Sequence, residues 1–289
     1  MSGSIATLGS MATTTKRKGK KGSENWRTAK GSDIHELYEL SVQDPEGEIG
    51  TIDRIWQDQR GREARSMRED FCGTAAVARE WVKKRDENTA VGVDLSTDVL
   101  EYCRRKIETQ LNDDQAARLE LIEGDVLTTD SDPVETILAF NFSYYLFKKR
   151  QQLVDYFRSV REQLTEDGLF ILDAYGGSDS FLEMEEDRDL DGFTYIWDQN
   201  HYDPVSGDVV NHIHFKFPDG TKIMKAFTYE WRLWTLPEIQ ELLLEAGFRN
   251  AVVYWEGTDE ENEEGNGEWT EVETGEACEG WVAYLVGIK

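Results

Sequence analysis

Apolar and polar positions alternate in two different rhythms along this chain. Between Ser66 and Ala174, short strand-like runs at Ser66–Phe71, Ala90–Leu95, Leu119–Glu123, Thr136–Asn141 and Gly168–Ala174 are separated by stretches whose apolar residues recur every three to four positions. The stripes are Val77, Ala78, Trp81 and Val82; then Val99, Leu100, Cys103 and Ile107; then Leu153, Tyr156, Phe157, Val160 and Leu164. Strands alternating with amphipathic helices predict a mostly parallel α/β sheet, because parallel neighbours need crossover helices to connect them.

Two short helices are expected ahead of the first strand. Asp33 to Glu36 has the spacing of a capping box, and Ile49, Ile52, Ile55 and Trp56 recur at helical spacing from the Pro45 break to Gly61, which can end a helix in the left-handed conformation. After Tyr175 the rhythm changes. Phe193–Tyr202, Asp208–Phe217 and Ile223–Trp234 are aromatic-rich and divided by Asp203-Pro204, Ser206-Gly207 and Pro218-Asp219-Gly220, so they read as an antiparallel meander inserted as a lid. Thr235–Ala246, with Thr235 and Glu238 as a second capping box, resumes the main domain, and Ala251–Trp255 and Gly280–Ile288 complete it as strands. The organisation is thus a tail over 1–30, a first half over 31–175, the insertion over 176–234 and a closing segment over 235–289. Within that last segment, the acidic stretch 257–279 is expected to be an unstructured loop.

Charge narrows the partners. The chain carries 32 basic and 58 acidic residues, and residues 1–30 hold 7 of the former and 1 of the latter, which leaves 25 against 57 in the body. An anionic body of this size opposes docking on phosphate backbones, so nucleic acid is disfavoured and a small molecule or a basic protein suits it better. The first 30 residues are too polar to bury a core and read as a solvated tail, with Lys16–Lys21 weighed as a nuclear address. No apolar run approaches the ~20 residues of a membrane span, and the start lacks the apolar stretch of a secretory signal, so a cytoplasmic protein is expected. Cys72, Cys103 and Cys278 show no paired spacing and read as reduced thiols.

The segment Arg68-Glu69-Asp70-Phe71-Cys72-Gly73-Thr74-Ala75 leaves one predicted strand and opens a predicted helix. A small-residue turn there lets a ligand approach the backbone and meet helix N-terminal amides. Asp94 ends the next strand 21 residues beyond Gly73, near the ~20-residue offset at which a carboxylate grips ribose hydroxyls in dinucleotide folds. Gly124-Asp125-Val126 ends the third strand. Taken singly, each has an ordinary reading: a strand-to-helix turn, a helix cap formed by Asp94 with Ser96, a surface acid. Together they fall at the carboxyl ends of successive strands, where open α/β sheets bind ligands.

Glu69 to Ala75 resembles the first motif of the class I S-adenosylmethionine-dependent methyltransferases, whose usual form is acid-x-Gly-x-Gly-x-Gly. Glu69 takes the acidic position, Gly73 keeps the second glycine, and Phe71 and Ala75 stand where the first and third would be. The likeness spans roughly residues 34–289. It implies a Rossmann-like seven-stranded sheet with helices on both faces and an antiparallel last strand, and S-adenosylmethionine as cofactor. It further implies that Glu69, Phe71, Cys72, Gly73 and Thr74 surround the cofactor, that Asp94 with Leu95 holds its ribose, that Asp125-Val126 contacts its adenine, and that Asn141-Phe142-Ser143 lies near the methyl donor. Tyr38, in the helix before the sheet, is a candidate to close over it. Arg232-Leu233-Trp234-Thr235, followed by a helix ending in Ala246-Gly247-Phe248, is similar to the family's small-molecule branch.

Methyl transfer works mainly by alignment and exclusion of water, with a base needed only for a protonated acceptor. Tyr175, His201, Tyr202 and Arg232 are candidates for the acceptor site because they lie near the expected lid, with a structural role favoured for each. His212 and His214 share one strand face, read as solvated or lid-facing, and no metal is expected. Phe227, Tyr229, Trp231 and Leu233 alternate as a core face does; packing is favoured over an aromatic cage for a cationic amine. Three other readings stay open: a binding module without catalysis, a protein methyltransferase, and a nicotinamide-dependent oxidoreductase. The last fits worse because G-x-G-x-x-G is absent.

Overall fold

The computed structural model describes residues 27–258 and 265–289. The basic run Lys16–Lys21 lies outside them, whereas residues 27–30, expected in the tail, lead into a short 3-10 turn over Ala29–Gly31 pinned by a bond from the Ala29 amide to Thr221 Oγ1 at 3.1 Å. Helices α1 (Ile34–Val42) and α2 (Pro45–Arg60) come first. Asp33 caps α1 by accepting from the His35 amide, but Glu36 does not complete the expected box; it receives Arg27 Nη2 at 3.2 Å. Gly61 closes α2 at φ 67°, as expected.

There follow β1 (Ser66–Asp70), α3 (Ala76–Lys84), β2 (Thr89–Asp94), α4 (Thr97–Gln110), the single turn α5 (Asp113–Ala116), β3 (Leu119–Glu123), β4 (Val134–Ala139), α6 (Arg150–Gln163) and β5 (Leu164–Gly176). The chain then runs through β6 (Met184–Leu190), β7 (Phe193–Tyr202), β8 (Asp208–Lys216) and β9 (Lys222–Arg232). It returns by α7 (Leu236–Glu245) to β10 (Asn250–Thr258), β11 (Gly265–Val272) and β12 (Trp281–Ile288). The main sheet has the order β11-β10-β12-β5-β4-β1-β2-β3. Strands β1 to β5 pair in parallel, and β12 runs antiparallel between β5 and β10. None of the described helices is long and apolar enough to cross a membrane.

This is the expected sheet with one strand more. Strand β11 lies inside the stretch expected to be an unstructured loop, of which 259–264 fall outside the described residues. Its backbone pairs with β10, Trp269 packs edge-on against Tyr284 at 4.6 Å and Val272 packs against the core, so two apolar anchors and a ladder order a segment otherwise rich in polar residues and glycine. The meander likewise gains β6, a Glu- and Asp-rich edge strand whose side chains alternate between half-buried and exposed while its backbone pairs with β7.

The central strands are apolar on both faces because both are covered. Ile137 and Ala139 of β4 face the cluster that holds Leu153, Tyr156 and Phe157 of α6, while Leu138 faces the one that holds Ile52, Trp56 and Trp81 of α2 and α3. The meander joins the first cluster through Trp197, Ile213, Phe215 and Trp231. His212 and His214, expected on a solvated face, are instead each 3% exposed. Their rings stack, His212 Nδ1 pairs with Thr228 Oγ1 at 3.0 Å and His214 Nε2 with Asp198 at 3.2 Å, so hydrogen bonds within the sheet replace solvent. Glu185, Asp198 and His214 present ligand atoms within 4.8 Å of one another. The Lys225 amide, however, donates to His214 Nδ1 at 2.7 Å, which leaves Nε2 protonated toward Asp198 and its lone pair unavailable to a metal.

Strand β1 buries three consecutive charged residues, Arg68, Glu69 and Asp70. Arg68 Nε meets Asp70 Oδ1 at 2.7 Å, Tyr156 donates to Asp70 Oδ2 at 2.9 Å, and Arg68 also donates to the Thr129 carbonyl, Ser131 and Gln163. Burial raises the Asp70 carboxyl, and Arg68 and Tyr156 draw it back. Removing one partner of a buried pair leaves an uncompensated charge. Arg68→Met should therefore lower the free energy of urea unfolding at pH 7 by about 3–5 kcal/mol; a loss well under 1 kcal/mol would show that Asp70 does not depend on the guanidinium.

Candidate functional site

A cavity of about 360 Å3 opens at the carboxyl ends of β1, β2 and β4, within the range of small-ligand sites. Its first wall is the turn after β1. Phe71, Gly73 and Ala75 all have positive φ, 55°, 53° and 51°, so the chain takes the left-handed conformation at every position where the family motif carries glycine. For Phe71 and Ala75 this costs about 1 kcal/mol or more each and persists only if the surroundings enforce it. They do. The Cys72 amide donates to the Val93 carbonyl at 2.9 Å, Phe71 packs on Phe147 and Tyr156, and Ala75 is fully buried. A Cβ at Gly73 would meet no atom nearer than 4.0 Å, so that face of the turn is open to a ligand.

Asp94, at the end of β2, binds this turn directly. One carboxylate oxygen accepts the Gly73 amide at 2.8 Å and the other the Ser96 amide at 2.8 Å. Each oxygen offers about two acceptor sites, so capacity for two further donors remains. Thr74 donates to Gln43 at 3.0 Å and ties the turn to the end of α1. Tyr38, on α1, lines the cavity with its ring 5.0 Å from that of Phe227. Glu69 accepts the Ala78 amide at 3.0 Å in the first turn of α3.

On the β4 side, Asn141 and Phe142 also have positive φ, and their amides donate to the two oxygens of Asp173 at 2.7 and 2.8 Å. Asp173 thus fixes the loop that carries Asn141 and Ser143 onto the cavity wall. Asp173 and Glu48 are not among the residues that the sequence marks for the site, although an acid inside Leu169-Phe170-Ile171-Leu172-Asp173-Ala174 is a signal for the first. Strand β9 closes the remaining side with Phe227, Tyr229 and Trp231, alternate residues that the sequence reads as a packing face and that here line the cavity as well.

Other expected site residues lie elsewhere. Leu95 is 72% exposed, Asp125 is exposed and accepts the Leu127 amide, and Val126 is in the core; none of them lines the cavity, though Gly124 donates to the Asp94 carbonyl and keeps this strand end beside β2. Tyr175 is buried and bonded to Asn211, and His201 pairs with Glu183 at the surface. Tyr202 packs on Phe181, and Arg232 bridges Glu238 while stacking over Trp234. The structure brings none of these four to the cavity.

The electrostatics are one-sided. Glu69, Asp70 and Asp94 line the cavity, and among the described residues no lysine or arginine does. Burial raises Glu69 to about 8, with Asp94 adding to the rise and the Ala78 amide and Arg79 opposing it. Burial raises Asp173 to about 7. Glu48, whose buried carboxyl oxygens are unpartnered among the described residues, is pushed well above the usual carboxylate range by burial and by the nearby Glu69 and Asp173. Burial likewise raises the Cys72 thiol, which keeps it protonated and unfit as a nucleophile.

No protein-family model and no curated protein matches the chain. Solved structures do. A Clostridium acetobutylicum S-adenosylmethionine-dependent methyltransferase superposes with a TM-score of 0.64 at 19% identity, over 87% of this chain and 96% of its own. The fold is that of the class I methyltransferases. A Streptoalloteichus sugar N-methyltransferase (TM-score 0.60, 16% identity, 94% of this chain and 98% of its own) shares it. So does a Micromonospora echinaspora amino pentose methyltransferase with S-adenosylmethionine bound (0.62, 12%, 92% and 100%). The expected α/β architecture with its antiparallel last strand is therefore present. In this methyltransferase fold the Gly73 turn and Asp94 line one cavity, whereas Asp125, expected beside them, does not.

The buried acids give a pH signature. Above about pH 4.5 the unfolded chain loses the Glu48 proton while the folded protein retains it, so the folded state binds more protons and stability falls as pH rises. Glu48→Gln mimics the protonated acid. It should leave the melting temperature unchanged near pH 4.5 and raise it at pH 8; an equal shift at both pH values would contradict a protonated Glu48.

Proposed function

We propose that this protein is an S-adenosylmethionine-dependent methyltransferase acting on a small molecule. The observation that carries the reading is the Gly73 turn bonded to Asp94 on a cavity that no lysine or arginine among the described residues lines. Those residues fit the cofactor: an open glycine face admits it against the backbone, Asp94 retains two acceptor sites for ribose hydroxyls, and its carboxylate, with no lysine or arginine among the described residues lining the cavity, suits a ligand carrying sulfonium and ammonium charges. Bound there, the cofactor supplies an activated methyl group on sulfur. The chain's own part is to hold and to exclude: Asp94 grips, Thr74 and Gln43 fix the turn, Asp173 positions the Asn141 loop, and Tyr38 with the β9 aromatics keeps water from the reacting centre. Leu95 and Asp125, both exposed, belong in this reading to the rim over which the adenine extends, whereas Val126 packs in the core.

A small-molecule acceptor is supported by the anionic body, which disfavours nucleic acid, and by two structures of the same fold that are a sugar N-methyltransferase and an amino pentose methyltransferase. In this reading the protein works in the cytoplasm. The nicotinamide reading loses support, since β12 runs antiparallel between β5 and β10 and the glycine spacing differs.

Calorimetry should find S-adenosylhomocysteine binding to the full chain, and Asp94→Asn should weaken it about 10- to 100-fold, the worth of one or two charge-assisted hydrogen bonds. Binding of a nicotinamide dinucleotide instead, or unchanged affinity in a folded Asp94→Asn variant, would contradict the assignment.

A further inference from the structure

The acceptor half of the cavity has a chemistry of its own, and it rests on the methyltransferase reading above. Its wall is aromatic: Phe227, Tyr229 and Trp231 are alternate residues of β9, Tyr229 stacks on Trp231 at 4.4 Å, and Tyr38 stands 5.0 Å from Phe227. Trp231 is held by Phe142 and Tyr145, the segment that Asp173 anchors, so the aromatic wall and the Asn141 loop form one rigid unit. Asn141 lines the cavity and its buried Oδ1 has no hydrogen-bond partner among the described residues, an acceptor left over by the fold.

An acceptor that reacts through a carboxylate or a phenolate would bring negative charge beside Asp94, where no lysine or arginine among the described residues lines the cavity to receive it. A nitrogen nucleophile brings no negative charge and becomes cationic only as it is methylated. Aromatic faces attract a cationic nitrogen by about 0.5–2 kcal/mol, more as water is excluded. We infer that the methyl acceptor is an amine, seated against Tyr38, Phe227, Tyr229 and Trp231. It reacts as the free base: its lone pair forms the N–C bond while the S–C bond of the donor breaks, and sulfur keeps that electron pair. The positive charge passes from sulfur to nitrogen, and any proton left on the methylated nitrogen goes to water. The positive charge thus stays beside Asp94 and the aromatic wall throughout and moves toward that wall as nitrogen is methylated, so the rings stabilise the transition state more than the neutral amine.

The test uses the full-length protein with methyl-labelled S-adenosylmethionine and a panel of primary and secondary amines, amino sugars among them, beside matched alcohols, phenols and carboxylic acids. S-adenosylhomocysteine binding is measured first, since its absence removes the methyltransferase reading itself. With binding present, label should enter amines. Label confined to oxygen acceptors, or no labelled amine at all, overturns the inference and leaves the cofactor assignment standing. For the best amine, Trp231→Leu should raise KM and the calorimetric Kd on the S-adenosylhomocysteine-loaded protein about 3- to 30-fold, with Trp231→Phe restoring most of it. Phe227→Leu, at a half-buried position, gives the same reading should Trp231→Leu fail to fold. Loss of cofactor affinity equal to the loss of amine affinity in both variants would contradict a separate aromatic seat.

Discussion

The Asp94 carboxylate accepts an amide from the turn that follows β1 on one oxygen and an amide from the turn that follows β2 on the other. Much else depends on this clamp. The first turn visits the left-handed region three times within five residues, twice at residues that carry a side chain, and such a path is stable only where fixed partners demand it. Without a carboxylate at the end of β2, the Gly73 amide would lose its acceptor, and the open face that admits a ligand would close or wander. A single acidic side chain therefore shapes the backbone and presents itself to the ligand.

A second consequence follows from what surrounds the clamp. Glu48, Glu69, Asp70 and Asp173 are buried near it, and of these only Asp70 is paired in a close ion pair with a buried arginine. Burial raises all four carboxyls, Glu48 and Glu69 far enough to be neutral at pH 7, while Arg68 and Tyr156 draw Asp70 back. The charge left facing the cavity is that of Asp94, with no lysine or arginine among the described residues lining it, which favours a cationic ligand over an anionic one. The β9 aromatics are the complementary half, apolar enough to exclude water and able to face a cation.

The sequence made the sheet legible where helix and strand alternated with clean stripes, as in α3 and α6. It was less informative where order comes from backbone pairing. β6 and β11 are rich in charged and polar side chains, and only their ladders with β7 and β10 make them strands. At the candidate site, Gly73 and Asp94 were legible because they are bound to strand ends that periodicity locates, whereas Leu95, Asp125 and Val126, at strand ends too, do not line the cavity. The side beneath the meander was not legible: Tyr175, His201, Tyr202 and Arg232 are near the meander in sequence, yet their partners Asn211, Glu183, Phe181 and Glu238 draw them away from the cavity. The same alternation of Phe227, Tyr229 and Trp231 that signals a core also serves a cavity wall, and periodicity alone does not separate the two.

Hydrogen–deuterium exchange of the full chain with and without S-adenosylhomocysteine tests the central claim most directly. The account predicts protection concentrated in peptides covering 70–76, 94–99 and 140–146, where the Gly73 and Ser96 amides and the Asn141 loop meet the cavity. Protection elsewhere, with these three segments unchanged, would contradict it.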